Sequence, residues 1–89
     1  MPKAEVEIIN KLGLHARASA KLTQLAGSYH CEVWMERNGR RINAKSIMGV
    51  MMLAAGLGTK VVIDCEGASA EEALQSIVQL IADRFGEEE

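Results

Sequence analysis

Four stretches of this chain repeat their apolar side chains at every second residue, three repeat them at every third or fourth, and the two periods are interleaved. The period-two stretches are 4–9, 31–36, a short return at 40–42, and 60–66; the helical ones are 16–26, 47–55 and 70–85. The order is therefore βαββαβα. Each strand has one apolar row to cover and each helix one stripe to bury, so the pattern predicts an α+β fold: a four-stranded sheet with three helices on one face. A chain of 89 residues suits one domain around a single core, here 1–86, with the acidic Glu87-Glu88-Glu89 expected as a frayed tail.

Within that frame Val6 and Ile8 point inward and Glu5 and Glu7 outward, and Val61, Ile63 and Cys65 face the core from the last strand. Asn38-Gly39 is the strongest hairpin signal in the chain. Arg37, Arg40 and Arg41 around it read as a charged cluster that keeps an exposed sheet edge soluble. Trp34 falls in the polar phase of its strand, on the open face, with Val62 as its expected neighbour. The helix stripes are Ala18, Leu22, Leu25 and Ala26; then Val50, Leu53, Ala54 and Leu57; then Leu74, Ile77, Val78, Ile81 and Phe85. Gly27-Ser28, Gly56 and Gly86 supply stops, Ser46 an N-cap, and Ser69 with Glu72 a capping box. The second helix is apolar nearly all round, which leaves Ile47, Met48, Met51 and Met52 as a second apolar patch suited to adaptable binding.

Composition removes several classes of function. No run of eighteen apolar residues exists, and Met1-Pro2-Lys3-Ala4 leads into a strand rather than a secretory segment, so a soluble cytoplasmic monomer without membrane insertion is expected. Net charge is −2, and no basic tract is interleaved with aromatics, which argues against nucleic acid. Cys31 and Cys65 lack metal-site spacing and read as small buried hydrophobes, so neither a metal nor a cofactor is expected.

Chemistry concentrates at Gly13-Leu14-His15-Ala16-Arg17-Ala18-Ser19, where strand pattern becomes helix pattern. His15 falls at or beside a helix N-cap. The amides of Ala16, Arg17 and Ala18 then have no partners within the helix and, with the positive helix pole, form a backbone anion site. Arg17 adds a permanently charged fork matched to phosphate oxygens. A nucleophilic imidazole beside such a site is suited to carrying a phosphoryl group.

Gly13-Leu14-His15-Ala16-Arg17 resembles the active-site signature of the histidine-containing phosphocarrier (HPr) family of the bacterial phosphoenolpyruvate:sugar phosphotransferase system. Asn43-Ala44-Lys45-Ser46-Ile47-Met48-Gly49-Val50-Met51 is similar to that family's regulatory serine segment, at the expected distance. The chain departs from the family where it has Ala18, since proline commonly follows the arginine. The resemblance implies an open-faced sandwich with an antiparallel sheet of strand order 1-4-2-3. It implies that His15 accepts a phosphoryl group from phosphorylated enzyme I through its Nδ1 atom, is transiently phosphorylated without being an enzyme, and delivers the group to IIA domains of sugar permeases. It also implies that Arg17 stabilises the phosphoryl group, and that Ser46 is a regulatory phosphorylation site for an HPr kinase/phosphorylase. Ala20, Lys21 and Gln24 would line the partner-docking side with Ile47, Met48, Met51 and Met52. Two other readings stay open: a carrier of the nitrogen-related regulatory branch, and a non-catalytic regulatory interaction module, against which His15 itself argues.

Overall fold

The last strand of this protein lies between its first and second. The computed structural model describes residues 2–89; Met1, read above as part of the lead into the first strand, lies outside the described residues. The elements are β1 (Lys3–Glu7), α1 (Ala16–Gly27), β2 (Cys31–Arg37), β3 (Arg40–Asn43), α2 (Ile47–Met52), β4 (Lys60–Gly67) and α3 (Ala70–Ala82), followed by a tight turn at Arg84–Gly86. All strand pairs are antiparallel and the sheet order is β1-β4-β2-β3, as the resemblance implied. Val61, Ile63 and Cys65 of β4 are fully buried, because this strand has neighbours on both sides and helices beneath it. Burial also pushes the Cys65 thiol up to about 11, which keeps it a protonated packing group. Ala18, Leu22 and Ala26 close the core from α1, and Ala73, Ile77 and Ile81 from α3. Complete burial of a leucine such as Leu22 contributes about 1.5–3 kcal/mol. Among the described residues no helix is long and apolar enough to cross a membrane.

Trp34 stands opposite Asp64 and Asn43, whereas Val62 stands two positions along, opposite Glu36 and Glu5. The ring is covered by Arg41, whose guanidinium lies 4.7 Å from the ring centroid and donates to Asp64 Oδ1 at 2.7 Å. The remaining hairpin arginines are also committed, rather than serving only as soluble charge. Arg37 donates to Leu53 O at 2.8 Å and Arg40 to Met52 O at 3.1 Å, placing two cations on the carbonyl end of α2.

Those bonds explain why α2 stops at Met52 and not near residue 55. Ala54 takes a left-handed conformation (φ 51°), which puts Leu53 and Ala55 in the core and leaves Ala54 and Leu57 outside, contrary to the predicted stripe. α3 likewise ends at Ala82 instead of running to Phe85. Arg84 and Phe85 both have positive φ, and the reversal drives the Phe85 ring fully into the core. Each such φ costs an L-residue about 1–2 kcal/mol, offset here by burial of the ring and by Lys21 Nζ donating to Phe85 O at 2.6 Å. Ser69 begins α3 without the expected capping box, since its ψ of 23° does not aim the hydroxyl at the helix amides.

Candidate functional site

The segment that delivers His15 is tied down before the histidine is reached. Ile8 bonds through both its backbone groups to Thr59 O and Gly58 N, each at 2.8 Å. Asn10, fully buried, then closes a tight loop: its carbonyl accepts from Gly13 N at 3.2 Å and its Nδ2 donates to Gly13 O at 2.9 Å. Gly13 has φ +64°, and a Cβ there would lie 2.5 Å from Ala55 O. Only glycine fits so close to a neighbouring backbone in that conformation. Leu14 N donates to the same Ala55 carbonyl at 2.9 Å.

His15 is the extended N-cap residue of α1 (φ −71°, ψ 177°), and its side chain makes no cap hydrogen bond. Its carbonyl accepts from Ser19 N at 2.8 Å, while the buried Ser19 hydroxyl donates to Leu14 O at 3.1 Å. The half-buried imidazole is thus not engaged by its own helix end. The amides of Ala16, Arg17 and Ala18 have no hydrogen-bond partner among the described residues. Arg17 is exposed, and its guanidinium makes no hydrogen bond or ion pair among the described residues. His15 and Arg17 share an open cleft of about 430 Å³ with Lys11, Leu12 and the last three residues.

Those last residues are the correction to the sequence reading. Instead of fraying, the tail is held against the site. Lys11 N donates to Glu89 O at 2.6 Å, Lys11 Nζ lies 3.3 Å from the Glu89 carboxylate, and Asn10 Nδ2 donates to Glu87 Oε1 at 3.1 Å. The other Glu87 oxygen, Oε2, lies 2.5 Å from His15 Nε2. That hydrogen bond, followed by the one from Asn10 and by the charges of His15 and Arg17, holds the Glu87 carboxyl below its ordinary range despite desolvation acting the other way. Asn10 and Glu87 are the site residues that sequence reasoning missed. Asn10 carries a weak local signal, as asparagine often bonds nearby backbone. Glu87 carries none, since its place depends on the chain returning 72 positions later.

The remaining predicted residues fall as follows. Ser46 is the exposed N-cap of α2, its Oγ accepting from Gly49 N at 3.2 Å. Ile47, Met48, Met51 and Met52 are all exposed, Met48 to 67%. On α1, Gln24 is exposed and Ala20 half-buried, and α1 packs against α2. Lys21, placed with them by sequence, commits its ammonium to the Phe85 carbonyl. No group of three or more metal-binding side chains is assembled among the described residues.

A family model described as the phosphotransferase-system HPr component phosphorylation site matches residues 2–83. The phosphocarrier protein HPr of Cupriavidus necator is 60% identical over 89 residues, covering all of both chains. The crystal structure of HPr-C-His from Thermoanaerobacter tengcongensis superposes with a TM-score of 0.97 at 43% identity, again over 100% of both chains. Bacillus subtilis Crh, a catabolite repression protein described as a swapped dimer, superposes with a TM-score of 0.76 at 37% identity, over 94% of this chain and 97% of its own.

Proposed function

This chain belongs to the HPr family of phosphocarriers of the phosphotransferase system, and from that premise we propose that it carries a phosphoryl group on His15 from phosphorylated enzyme I to IIA domains of sugar permeases, in the cytoplasm and as a monomer. It is a carrier rather than a catalyst with its own substrate turnover. The observation that carries the reading is the half-buried imidazole that opens into the cleft at the N-cap of α1, beside amides and a guanidinium with no partner among the described residues.

The chemistry follows from those groups. A ring nitrogen lone pair attacks phosphorus as the bond to the donor breaks, and the three phosphoryl oxygens come to rest near the amides of Ala16, Arg17 and Ala18. Arg17 has the fork geometry to hold two of the oxygens, and its freedom from other bonds leaves it available to do so. Docking falls to Ala20, Gln24 and the Ile47, Met48, Met51 and Met52 patch, whose flexible thioethers suit surfaces of more than one partner. Ser46 borders that patch, so a phosphate there meets any partner seated on it.

The test is incubation with phosphoenolpyruvate and enzyme I, followed by location of the acid-labile phosphate. Label on His15, lost in a folded His15→Ala protein and slowed in Arg17→Ala, is the expected result. Full labelling of His15→Ala refutes the assignment, and charging only by an enzyme I of the nitrogen-related branch moves the protein to that system.

A further inference from the structure

Among the described residues, Glu87 places the one carboxylate that hydrogen-bonds the imidazole. We propose that Glu87 is a positioning residue: its carboxylate, steered by Asn10, holds the His15 proton on Nε2 and so presents Nδ1 as the reacting nitrogen. The inference rests on the carrier reading above and adds the device that selects the atom.

An ionised carboxylate accepts hydrogen bonds and cannot donate one, so the nitrogen it meets must carry the proton. The 2.5 Å between Glu87 Oε2 and His15 Nε2 is a close, charge-assisted contact. In a neutral imidazole the other nitrogen then keeps its lone pair. The carboxylate is itself fixed. Its Oε1 accepts from Asn10 Nδ2 at 3.1 Å, and the same Asn10 amide donates to Gly13 O at 2.9 Å, two residues before the histidine. Asn10 is fully buried and its Oδ1 has no partner among the described residues, so the side chain is held by those two donations. On either side of Glu87 the backbone is pinned, by Lys21 on Phe85 O and by Lys11 N on Glu89 O. The ring and the acid that orients it are therefore referenced to one loop.

In transfer, the Nδ1 lone pair forms the bond to phosphorus while the donor–phosphorus bond breaks and its electron pair stays with the donor. The proton remains on Nε2, and the ring becomes a cation whose charge Glu87 balances. In delivery the Nδ1–phosphorus pair returns to Nδ1, phosphorus bonds to the acceptor, and the ring leaves as the neutral Nε2–H tautomer. The carboxylate and the phosphoryl group act on different nitrogens of the ring, so neither needs the other's place.

The experiment uses full-length protein with 15N-labelled histidine at about pH 8.5, where an imidazole is neutral, and measures ring nitrogen shifts alongside phosphoryl uptake from phosphoenolpyruvate and enzyme I. The wild type should show Nε2 protonated and Nδ1 bare. Glu87→Gln and Glu87→Ala should show a mixture of tautomers, with uptake at saturating enzyme I down about tenfold, the size of one charged bond in a partly exposed site, little change in half-saturation, and a melting temperature lowered by no more than about 4–8 °C, so that the protein stays folded at the assay temperature. Glu87→Asp should recover part of both signals. A wild type protonated on Nδ1, variants with unchanged nitrogen shifts, or altered shifts with unchanged uptake each overturn the positioning role. A wild type that takes no phosphate on His15 fails the carrier reading, and with it this one, whatever the nitrogen shifts report.

Discussion

Replacing Gly13 by alanine isolates how tightly the loop before His15 is built. The residue has φ +64°, so any L side chain meets the left-handed penalty of about 1–2 kcal/mol. The added Cβ would also lie 2.5 Å from Ala55 O and 2.7 Å from Gly56 Cα, both backbone atoms that a rotamer change cannot move. Relief needs a backbone shift, and overpacking of that kind costs about 1–3 kcal/mol. The displaced carbonyl is the one that accepts from Leu14 N at 2.9 Å, so a hydrogen bond of about 1 kcal/mol is put at risk as well. Together these come to about 3–6 kcal/mol, a large part of the total stability of a small domain. Gly39→Ala is the control: φ is +78°, but nothing among the described residues lies within 4 Å of the added carbon, so only the conformational cost of about 1–2 kcal/mol applies. Urea unfolding of both variants, with a shared slope, reads the difference directly. In thermal unfolding Gly13→Ala should melt about 12–48 °C below wild type. Two variants within about 0.5 kcal/mol of each other would show that the loop yields freely and that the close approach carries no energy.

Ser46→Ala should lower stability by about 1 kcal/mol through loss of the bond to Gly49 N. Ser46→Asp should keep the cap and the melting temperature yet slow loading by enzyme I, with partial rescue by salt; equal loading across salt concentrations would leave Ser46 as a helix cap alone. Ala18→Pro should fold and gain about 0.4–1 kcal/mol, because the Ala18 amide has no partner to lose among the described residues and the unfolded chain is stiffened; a lower melting temperature would reveal a partner for that amide. Glu87 titrates below its ordinary value in the folded chain, so the stability that it contributes is fully present above the ordinary carboxylate pKa and is lost only as pH falls through the depressed one. Its side-chain carbon shift, followed by acid titration, should show a midpoint below the ordinary glutamate value, and a midpoint at or above that value would contradict the contact with His15.

What was legible in the sequence was whatever local physics decides. The alternation of periods placed every strand and helix, Asn38-Gly39 announced its turn with both residues at positive φ, and Ser46 fell at its cap. What was misread depended on distant groups. The ends of α2 and α3 are set by Arg37, Arg40 and Lys21 reaching carbonyls many residues away, and no window of sequence contains both partners. At the candidate site, the placement of His15 and Arg17 at the start of α1 was visible because a strand-to-helix junction has a recognisable composition and because the motif resembles a known one. Asn10 and Glu87 were invisible, since an acidic C-terminal run reads as solvated charge until the Phe85 anchor turns it back.

The insertion of β4 between β1 and β2 bears on the order of assembly. The β2–β3 hairpin can close around its Asn-Gly turn within microseconds, using partners adjacent in sequence. β1 has no such option, because its sole neighbour in the sheet is β4, and Lys3 waits for Asp64. On a ribosome the first strand is therefore made first and paired late, after most of the chain has emerged, and its loop-closure entropy is met only then. The segment holding His15 hangs from the end of that strand and is tied to Gly58 and Thr59 just before β4 begins. A nascent or partly folded chain consequently holds the histidine without the geometry around it, and that geometry is confined to molecules whose sheet is complete.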